Sequence, residues 1–357
     1  MVSSHSPEVL VPLPSPRPID PSSAPGLRWG VIGTGWIAGR FADALHRHTA
    51  QRVVAVAARD LPRTLAFAAA HGIETAVTDR RALLDAVDAV YIAVPHSAHA
   101  AVAREAIAAG RHVLVEKPFA TGAAEAREVV DDARAAGVLA MEAMWTRYLP
   151  QSDVLRQLIS DGALGEIHQV VADFGSVAPY DPTGRMWDPA LAGGALLDLG
   201  VYPVSFASSI LGVPERIQAS GLVTPDGIDL RATALLGYAN GADAVVSTSM
   251  VSRTAERAEV IGAAARVDVL PSFFAPTGLR VTRRIGGRNE VEEWRDEAFT
   301  ERYDGLGYQA TALARYVGEG RTESPLHPLD EVVAVLDVID RIRPQLTVVD
   351  PARFQDA

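Results

Sequence analysis

The stretch GVIGTGWIAGRF, Gly30 to Phe41, decides the fold of this chain. An apolar run leads into it, and the residues that follow have the spacing of a helix. Gly33 can take a tight turn, Gly35 lets backbone approach a pyrophosphate, and Ala38 fills the small-residue position of a G-x-G-x-x-G/A pattern. A helix beginning there directs its free N–H groups at an anion. The stretch predicts a nucleotide-binding turn, although an ordinary strand-to-helix turn can look similar.

The surrounding sequence decides between these two interpretations. From Leu27 onward, short apolar runs rich in β-branched residues alternate with helical segments; the runs are LRWGVIGTG, VVAVAAR, AVYIAVP and RHVLVEKP. Strands that are apolar throughout are typical of a parallel sheet covered on both faces. We therefore predict an α/β fold whose first domain, residues 27–146, is a doubly wound Rossmann sheet that binds NAD(P).

After about Pro150 the pattern changes. Strand-like runs such as HQVVADFG, DLRATALLGY and DAVVSTSMV follow one another largely without helices between them. Consecutive strands favour antiparallel pairing. We predict a second, α+β domain over residues 147–357 with a large, mostly antiparallel open sheet. Residues 1–26, dense in proline and serine, predict a disordered tail.

Composition limits the class of protein. A chain of 357 residues with 48% hydrophobic and 22% charged residues is ordinary for a soluble globular protein, and no uninterrupted apolar stretch has the length of a membrane span. A net charge of -11 disfavours nucleic acid as a partner, and the lack of cysteine excludes disulfides and thiolate metal sites. The N-terminal residues do not have the pattern of a signal peptide, so the expected location is cytoplasmic.

The end of the second strand predicts which cofactor binds. VAVAARD presents Ala58 and Arg59 where an NAD site usually has an acid for the ribose 2′-hydroxyl. Because a guanidinium suits a 2′-phosphate, NADP is preferred, with NAD possible. Two alternatives stay open: Asp60 as a displaced ribose ligand, and Arg59 as an ordinary solvated charge.

The fifth strand ends in VEKPFA. The carboxyl end of a parallel strand lies on the ligand side of the sheet, and Pro118 stiffens the backbone that carries Lys117. On spacing alone, a surface ion pair between Glu116 and Lys117 is the better interpretation.

Several motifs, taken together, resemble the glucose-fructose oxidoreductase, inositol dehydrogenase and MocA family. They are the glycine-rich turn, PHSAHAAVAREAIAAGRHVLVEKP, EAMWTRYLP and GGALLDLGVYP. The resemblance spans about Leu27 to Pro344 and is strongest to the branch of dimeric dihydrodiol dehydrogenase, NADP-dependent D-xylose dehydrogenase and glucose-fructose oxidoreductase. It implies an NADP-dependent oxidoreductase of a sugar, polyol or cyclic diol, with a second domain that binds substrate and forms a homodimer or homotetramer through its sheet.

The resemblance also implies the catalytic residues. Lys117 matches the lysine of the Glu-Lys-Pro motif, Asp198 the substrate-side aspartate, and Tyr202 a position that many members fill with histidine. Residues four apart share one face of a helix, and we expect the Lys117 ammonium to lower the pKa of Tyr202 from its free value of about 10. Pro203 requires the helix to begin near Gly200 or to kink beside Tyr202.

Other positions are predicted to contact the cofactor. His96 and His99 occupy the loop that passes the nicotinamide ribose in the family, with two solvated histidines as the alternative, and no metal is expected there. Trp145 and Arg147 suit a sugar ring or the cofactor amide, or equally interdomain packing. The full predicted set is Gly33, Gly35, Trp36, Ile37, Ala58, Arg59, Pro95, His96, His99, Glu116, Lys117, Trp145 and Arg147.

Two other functions stay open at this point. The family includes regulators that bind cofactor without turnover, although the presence of Lys117, Asp198 and Tyr202 together speaks against that. The second is a sugar–sugar oxidoreductase with tightly bound cofactor. GYQAT has Ala310 where many relatives carry a glutamate, so any substrate contact of that acid is absent.

Overall fold

The computed structural model describes residues 13–297 and 301–350, and it contains two sheets. The first has six parallel strands in the order β3-β2-β1-β4-β5-β6. These strands are β1 (Arg28–Ile32), β2 (Arg52–Ala57), β3 (Thr75–Val77), β4 (Ala89–Ile92), β5 (His112–Val115) and β6 (Ala140–Glu142). The helices between them are α1 (Trp36–His48), α2 (Leu61–His71), α3 (Arg80–Ala86), α4 (His99–Ala108) and α5 (Ala123–Ala136).

This sheet confirms the predicted doubly wound fold. Its central strands are buried throughout; all of β4 and most of β1 and β5 are shielded from solvent. The strand order reverses between β1 and β4, and in such sheets ligands bind at the carboxyl ends of the strands beside the reversal. Every loop predicted to contact the cofactor leaves the sheet at this edge.

The second sheet has nine strands in the order β14-β13-β12-β11-β7-β10-β9-β8-β15. Only the β7–β10 and β8–β15 pairs are parallel, which confirms a mostly antiparallel sheet. The strands are β7 (Ile167–Gly175), β8 (Arg216–Val223), β9 (Asp229–Gly237), β10 (Asp243–Ser249), β11 (Ala258–Gly262), β12 (Ala265–Val269), β13 (Gly278–Ile285), β14 (Arg288–Arg295) and β15 (Thr347–Val348).

Helices cover one face of this sheet. The later helices are α6 (Pro150–Ser160), α7 (Val201–Leu211), α8 (Leu306–Gly318) and α9 (Leu329–Ile342). Helix α7 packs on β7 and β10, and α9 packs on β8. Helices α8 and α9 also pack on α1 and α5 of the first domain, so the last helices of the chain hold the two domains together.

The segment Pro189–Leu211 is long and apolar enough to match a membrane span by length and composition, with a mean hydropathy of 1.4. In the folded protein, 72% of its most apolar window is buried. Because the segment ends in α7, the core of the second domain accounts for its apolar character.

Within residues 13–26, Ser15 and Arg17 contact helix α6. The Arg17 N–H donates to Asp153 (2.7 Å), and the Gln157 side chain donates to the carbonyl of Ser15 (2.9 Å). The predicted disordered tail is therefore wrong for these residues, because side chains far along the chain satisfy their backbone groups. The rest of the predicted tail lies outside the described residues.

Candidate active site

Gly33 forms the turn after β1. Its φ of +115° is one that side chains rarely adopt, and a Cβ there would lie 2.2 Å from the Ala93 carbonyl oxygen. At Gly35, by contrast, a Cβ would meet no protein atom within 4 Å. The fold needs glycine at the first position, while the space beside the second is open to a ligand.

Helix α1 begins directly after this turn, at Trp36. In the part of the chain that the structure describes, no side chain caps its N-terminus, so the first N–H groups are available to an anion. Trp36 is 59% exposed, whereas Ile37 packs partly into the core. The turn and the helix start fit the pyrophosphate of a dinucleotide.

The residues after β2 lie beside this turn. Ala58 is half-buried and Arg59 is exposed. The Asp60 carboxylate accepts from the Arg63 N–H (2.9 Å) and caps α2. The Arg63 guanidinium donates to the Thr34 carbonyl inside the glycine-rich turn (3.1 Å). Arg63 is not among the residues predicted from the sequence; its place in the first turn of the helix after Arg59 is the available signal.

The loop after β5 buries Glu116 and directs Lys117 into the cleft. The Tyr91 hydroxyl and the Lys117 N–H both donate to the Glu116 carboxylate. Burial raises the pKa of Glu116 to about 7, although the Tyr91 hydrogen bond and the Lys117 charge lower it. The Glu116 carboxylate is used inside the first domain, and the predicted contact of Glu116 with the cofactor stays a prediction. The alternative of a surface ion pair with Lys117 is wrong.

Lys117 pairs instead with Asp198 from the second domain. Its Nζ donates to the Asp198 carbonyl (2.6 Å) and to Oδ1 (3.2 Å), and Arg185 Nη2 donates to the same Oδ1 (3.1 Å). Burial alone would raise the pKa of Asp198, but these two cations hold it well below its ordinary range. Burial alone would lower the pKa of Lys117, yet Asp198 and other nearby acidic groups raise it.

His96 joins this cluster on the side of the first domain, directly after Pro95. Its ring is buried, with Nδ1 3.1 Å from the Ala192 carbonyl and Nε2 3.1 Å from Arg185 Nη1. Burial lowers the pKa of His96 to about 3, so the neutral ring donates to Ala192 and accepts from Arg185. The alternative of a solvated histidine is wrong. Arg185, which precedes the turn that carries Asp198, had no signal in the sequence.

The ring of His99 contacts the loop that carries Lys117. It is 1% exposed, and its ring nitrogens lie 2.7 Å from the Pro118 carbonyl and 2.9 Å from the Val94 carbonyl. Burial lowers its pKa. Both ring nitrogens face backbone carbonyls and so support the loop, and the predicted cofactor contact of His99 stays a prediction.

Tyr202 lies against Lys117 within an aromatic wall. Lys117 Nζ is 5.1 Å from the centroid of its ring, and the rings of Phe174 and Phe274 each lie 5.5 Å away. A hydrogen bond with Trp145 and the charge of Lys117 lower the pKa of Tyr202, but burial raises it to about 12. The expectation of a pKa below 10 is therefore wrong for this structure, because desolvation outweighs the ammonium.

The backbone between Asp198 and Tyr202 is a π-helical turn, Leu196–Gly200, from which α7 continues at Val201. The helix thus begins close to Gly200, as one of the two predicted alternatives has it, and Pro203 lies in its first turn. Upstream, a Cβ at Gly194 would lie 2.8 Å from the buried Asp229 carboxylate, which accepts from the Leu196 N–H (2.5 Å). This contact anchors the turn that carries Asp198.

Trp145 and Arg147 lie in different surroundings. Trp145 contacts Tyr202 and stacks on Tyr303 with centroids 5.9 Å apart. Arg147 is 6% exposed, and its guanidinium donates to Ser205 and to Glu331 (2.6 Å). The Arg147 side chain thus packs between elements, which fits the alternative of interdomain packing, and its predicted contact with the cofactor stays a prediction.

The lysine content of the sequence is a further signal for the site. The chain contains 32 arginines and a single lysine, Lys117. Every other side chain with a permanent positive charge is an arginine. The single lysine ammonium lies beside Asp198 and Tyr202. This count singles out Lys117 without reference to any family.

A dinucleotide-binding turn that faces a lysine, aspartate and tyrosine across a cleft defines an NAD(P)-dependent oxidoreductase acting on CH–OH groups. Residues 27–144 match an oxidoreductase family with an NAD-binding Rossmann fold, and residues 152–268 match the GFO/IDH/MocA C-terminal domain. The chain belongs to the GFO/IDH/MocA oxidoreductase family, which confirms the resemblance.

The chain is similar to several characterised proteins over most of its length. It is 35% identical over 337 residues to trans-1,2-dihydrobenzene-1,2-diol dehydrogenase of Homo sapiens, covering 91% of this chain and 98% of the relative. The Oryctolagus cuniculus protein of the same name is 36% identical, covering 90% and 99%. A 3-ketoreductase from Actinomadura kijaniata, solved with NADP and TDP-benzene, is 27% identical with a TM-score of 0.79 and covers 91% and 99%.

Proposed function

We propose that the chain is an NADP-dependent dehydrogenase of cyclic diols, with sugars as the second candidate class. The observation that carries the proposal is the aromatic wall around Tyr202. Phe174 and Phe274 stack on each other with centroids 3.9 Å apart, and both contact the Tyr202 ring. These buried rings make the surroundings of Tyr202 apolar, which suits a carbocyclic ring, while Lys117 and Asp198 supply hydrogen bonds to its hydroxyl groups. The name of the mammalian relatives points to the same substrate class.

NADP, when bound, accepts or supplies the hydride. The residues of the chain handle the proton. With a pKa of about 12, Tyr202 is a neutral phenol at neutral pH, the form that donates to the oxygen of a ketone as it is reduced. In the oxidative direction the deprotonated oxygen of Tyr202 takes the proton of the substrate hydroxyl, and the Lys117 ammonium offsets the negative charge that the phenolate carries before that transfer. Asp198 orients a neighbouring hydroxyl.

The preference for NADP over NAD rests on two guanidinium groups. Arg59 is exposed at the end of β2, and Arg63 is bonded to the glycine-rich turn. A 2′-phosphate beside them receives charge-assisted hydrogen bonds that a ribose hydroxyl cannot form to the same extent.

The test is initial-rate absorbance at the reduced-nicotinamide band with cyclic trans-diols, pentoses and hexoses, each with NADP and with NAD. The expected result is the highest kcat/KM for a cyclic diol with NADP, abolished in Tyr202→Phe. Cofactor binding without turnover of any candidate supports a regulator instead. Cofactor that co-purifies and exchanges hydride between two sugars supports the sugar–sugar oxidoreductase.

We further propose a cytoplasmic homodimer built on the outer face of the nine-stranded sheet. On this face Val171 and Val245 are half-buried and Leu235 is 41% exposed, between polar neighbours. Because helices cover only the other face, a second copy of the sheet is the cover that fits. Light scattering at micromolar concentration tests it; a particle of 37.9 kDa, the mass of one chain, contradicts the dimer.

A further inference from the structure

A continuous line of buried polar groups joins the loop of Lys117 to the helix of Tyr202. It starts at the Phe119 N–H, which donates to Glu142 Oε1 (2.8 Å). The other oxygen of Glu142 lies 2.8 Å from His327 Nε2, and His327 Nδ1 lies 3.5 Å from Glu331 Oε2. Arg147 then bonds Glu331 Oε1 (2.6 Å) and donates to the hydroxyl (2.9 Å) and carbonyl (2.8 Å) of Ser205.

The two ends of this line lie next to the two reactive groups. Phe119 is two residues from Lys117 in the first domain, and Ser205 is three residues from Tyr202 on α7 in the second. The side chains between them are mostly buried; His327 is 0% exposed, Glu142 1% and Arg147 7%, while Glu331 is 20% exposed. The line therefore spans the domain boundary inside the protein.

Both acids of this line are contacted on two sides. Glu142 accepts from the Phe119 N–H and lies 2.8 Å from His327 Nε2, and Glu331 accepts from Arg147 and lies 3.5 Å from His327 Nδ1. Burial alone would raise the pKa of Glu331, yet His327 and Arg147 lower it to about 2. These contacts hold the members of the line in one geometry.

We infer that Arg147 and His327 are positioning residues that set the distance between Lys117 and Tyr202 across the two domains. The inference rests on the proposed function for its catalytic consequence and on the contacts above for its geometry. The reactive groups belong to different domains, and a misplacement of about 1 Å in such a pair can lower turnover about a hundredfold. Neither residue needs to touch substrate or cofactor for this role.

The single lysine makes the inference measurable without turnover. Protein grown with [ε-¹³C]lysine gives one lysine side-chain NMR signal, that of Lys117. The variants are His327→Leu, Arg147→Met and the charge-conserving Arg147→Lys, whose introduced lysine adds a second signal that comparison with wild type identifies. The matched control is His112→Leu, because His112 Nδ1 accepts from the Leu139 N–H (3.0 Å) away from this line.

The expected result is a displaced Lys117 signal in His327→Leu and Arg147→Met, partly restored in Arg147→Lys and unchanged in the control. With a substrate from the panel, kcat should fall about 10- to 100-fold while the NADP Kd changes less than about threefold. Variants that fold with the wild-type Lys117 signal and kcat overturn the inference. If His327→Leu does not fold, the two Arg147 variants decide alone. A wild-type protein without turnover refutes the proposed function, whereas the NMR signal still decides the positioning role.

Discussion

The buried carboxyl of Glu116 should make the stability of this protein depend on pH. Its pKa is about 7 in the folded protein, against an ordinary value of 4.5. Since the folded pKa is the higher one, folding favours the protonated acid. The stability it contributes is complete below pH 4.5 and is lost as the pH rises to 7. At 1.36 kcal/mol per pH unit, this loss amounts to about 3 kcal/mol as an upper bound.

Glu116→Gln removes the titratable carboxyl group and keeps the shape of the side chain. A neutral amide can accept from the Lys117 N–H and donate to the Tyr91 hydroxyl, as the protonated acid can. We expect the variant to be as stable as wild type near pH 4.5 and more stable by up to about 3 kcal/mol at pH 8. Urea unfolding followed by circular dichroism at pH 4.5, 6, 7 and 8 measures the difference.

The control for this experiment is Glu125→Gln. The Glu125 carboxylate accepts from the Thr121 N–H (2.9 Å) and hydroxyl (2.8 Å) at the start of α5, away from the cleft. The difference in unfolding free energy between Glu125→Gln and wild type should not grow with pH as the difference for Glu116→Gln does. If the free-energy difference between wild type and Glu116→Gln is the same at pH 4.5 and pH 8, folding does not raise the pKa of this carboxyl and the reasoning fails.

The other predictions concern the cofactor and the reaction. Arg59→Ala should weaken NADP roughly ten- to a hundredfold by fluorescence titration and spare NAD, and an equal loss for both would sink the assignment. Tyr202→Phe should keep the fold and NADP affinity and lower kcat ~10²- to 10⁴-fold; near-normal turnover would make Tyr202 a packing residue. Lys117→Arg keeps the charge but should lower kcat at least as much as Tyr202→Phe, and the double variant should cost much less than the sum of the two.

The architecture of both domains could be predicted from the sequence, because it follows from local patterns. Buried parallel strands and glycines at fixed offsets are visible within a few residues of one another. The Lys117–Asp198 pair could be predicted only through resemblance, since 81 residues separate the two. The roles of His99 and Arg147 could not be predicted, because the hydrogen-bond partners of a buried polar side chain come from other elements of the fold. Glu331, which takes the Arg147 guanidinium, lies 184 residues away in the chain.

Tyr202 and Lys117 show why residue identity alone predicts the wrong direction for the pKa shift of Tyr202. A tyrosine near a lysine predicts a lowered pKa, and the structure does place the ammonium 5.1 Å from the ring centroid. The same fold desolvates the phenol between Phe174 and Phe274, and desolvation is the larger effect.

The single lysine explains how such a site can still move a proton. A guanidinium is planar and spreads its charge over a rigid fork, whereas an ammonium is a compact charge on a flexible stem with donors in several directions. In this cleft Nζ donates to both the carbonyl and the carboxylate of Asp198 while lying against the face of Tyr202. A fork cannot satisfy those directions at once and leave a donor for the substrate oxygen. A chain that uses arginine at all 32 other such positions retains lysine where a compact, movable charge must offset the one that develops on the tyrosine.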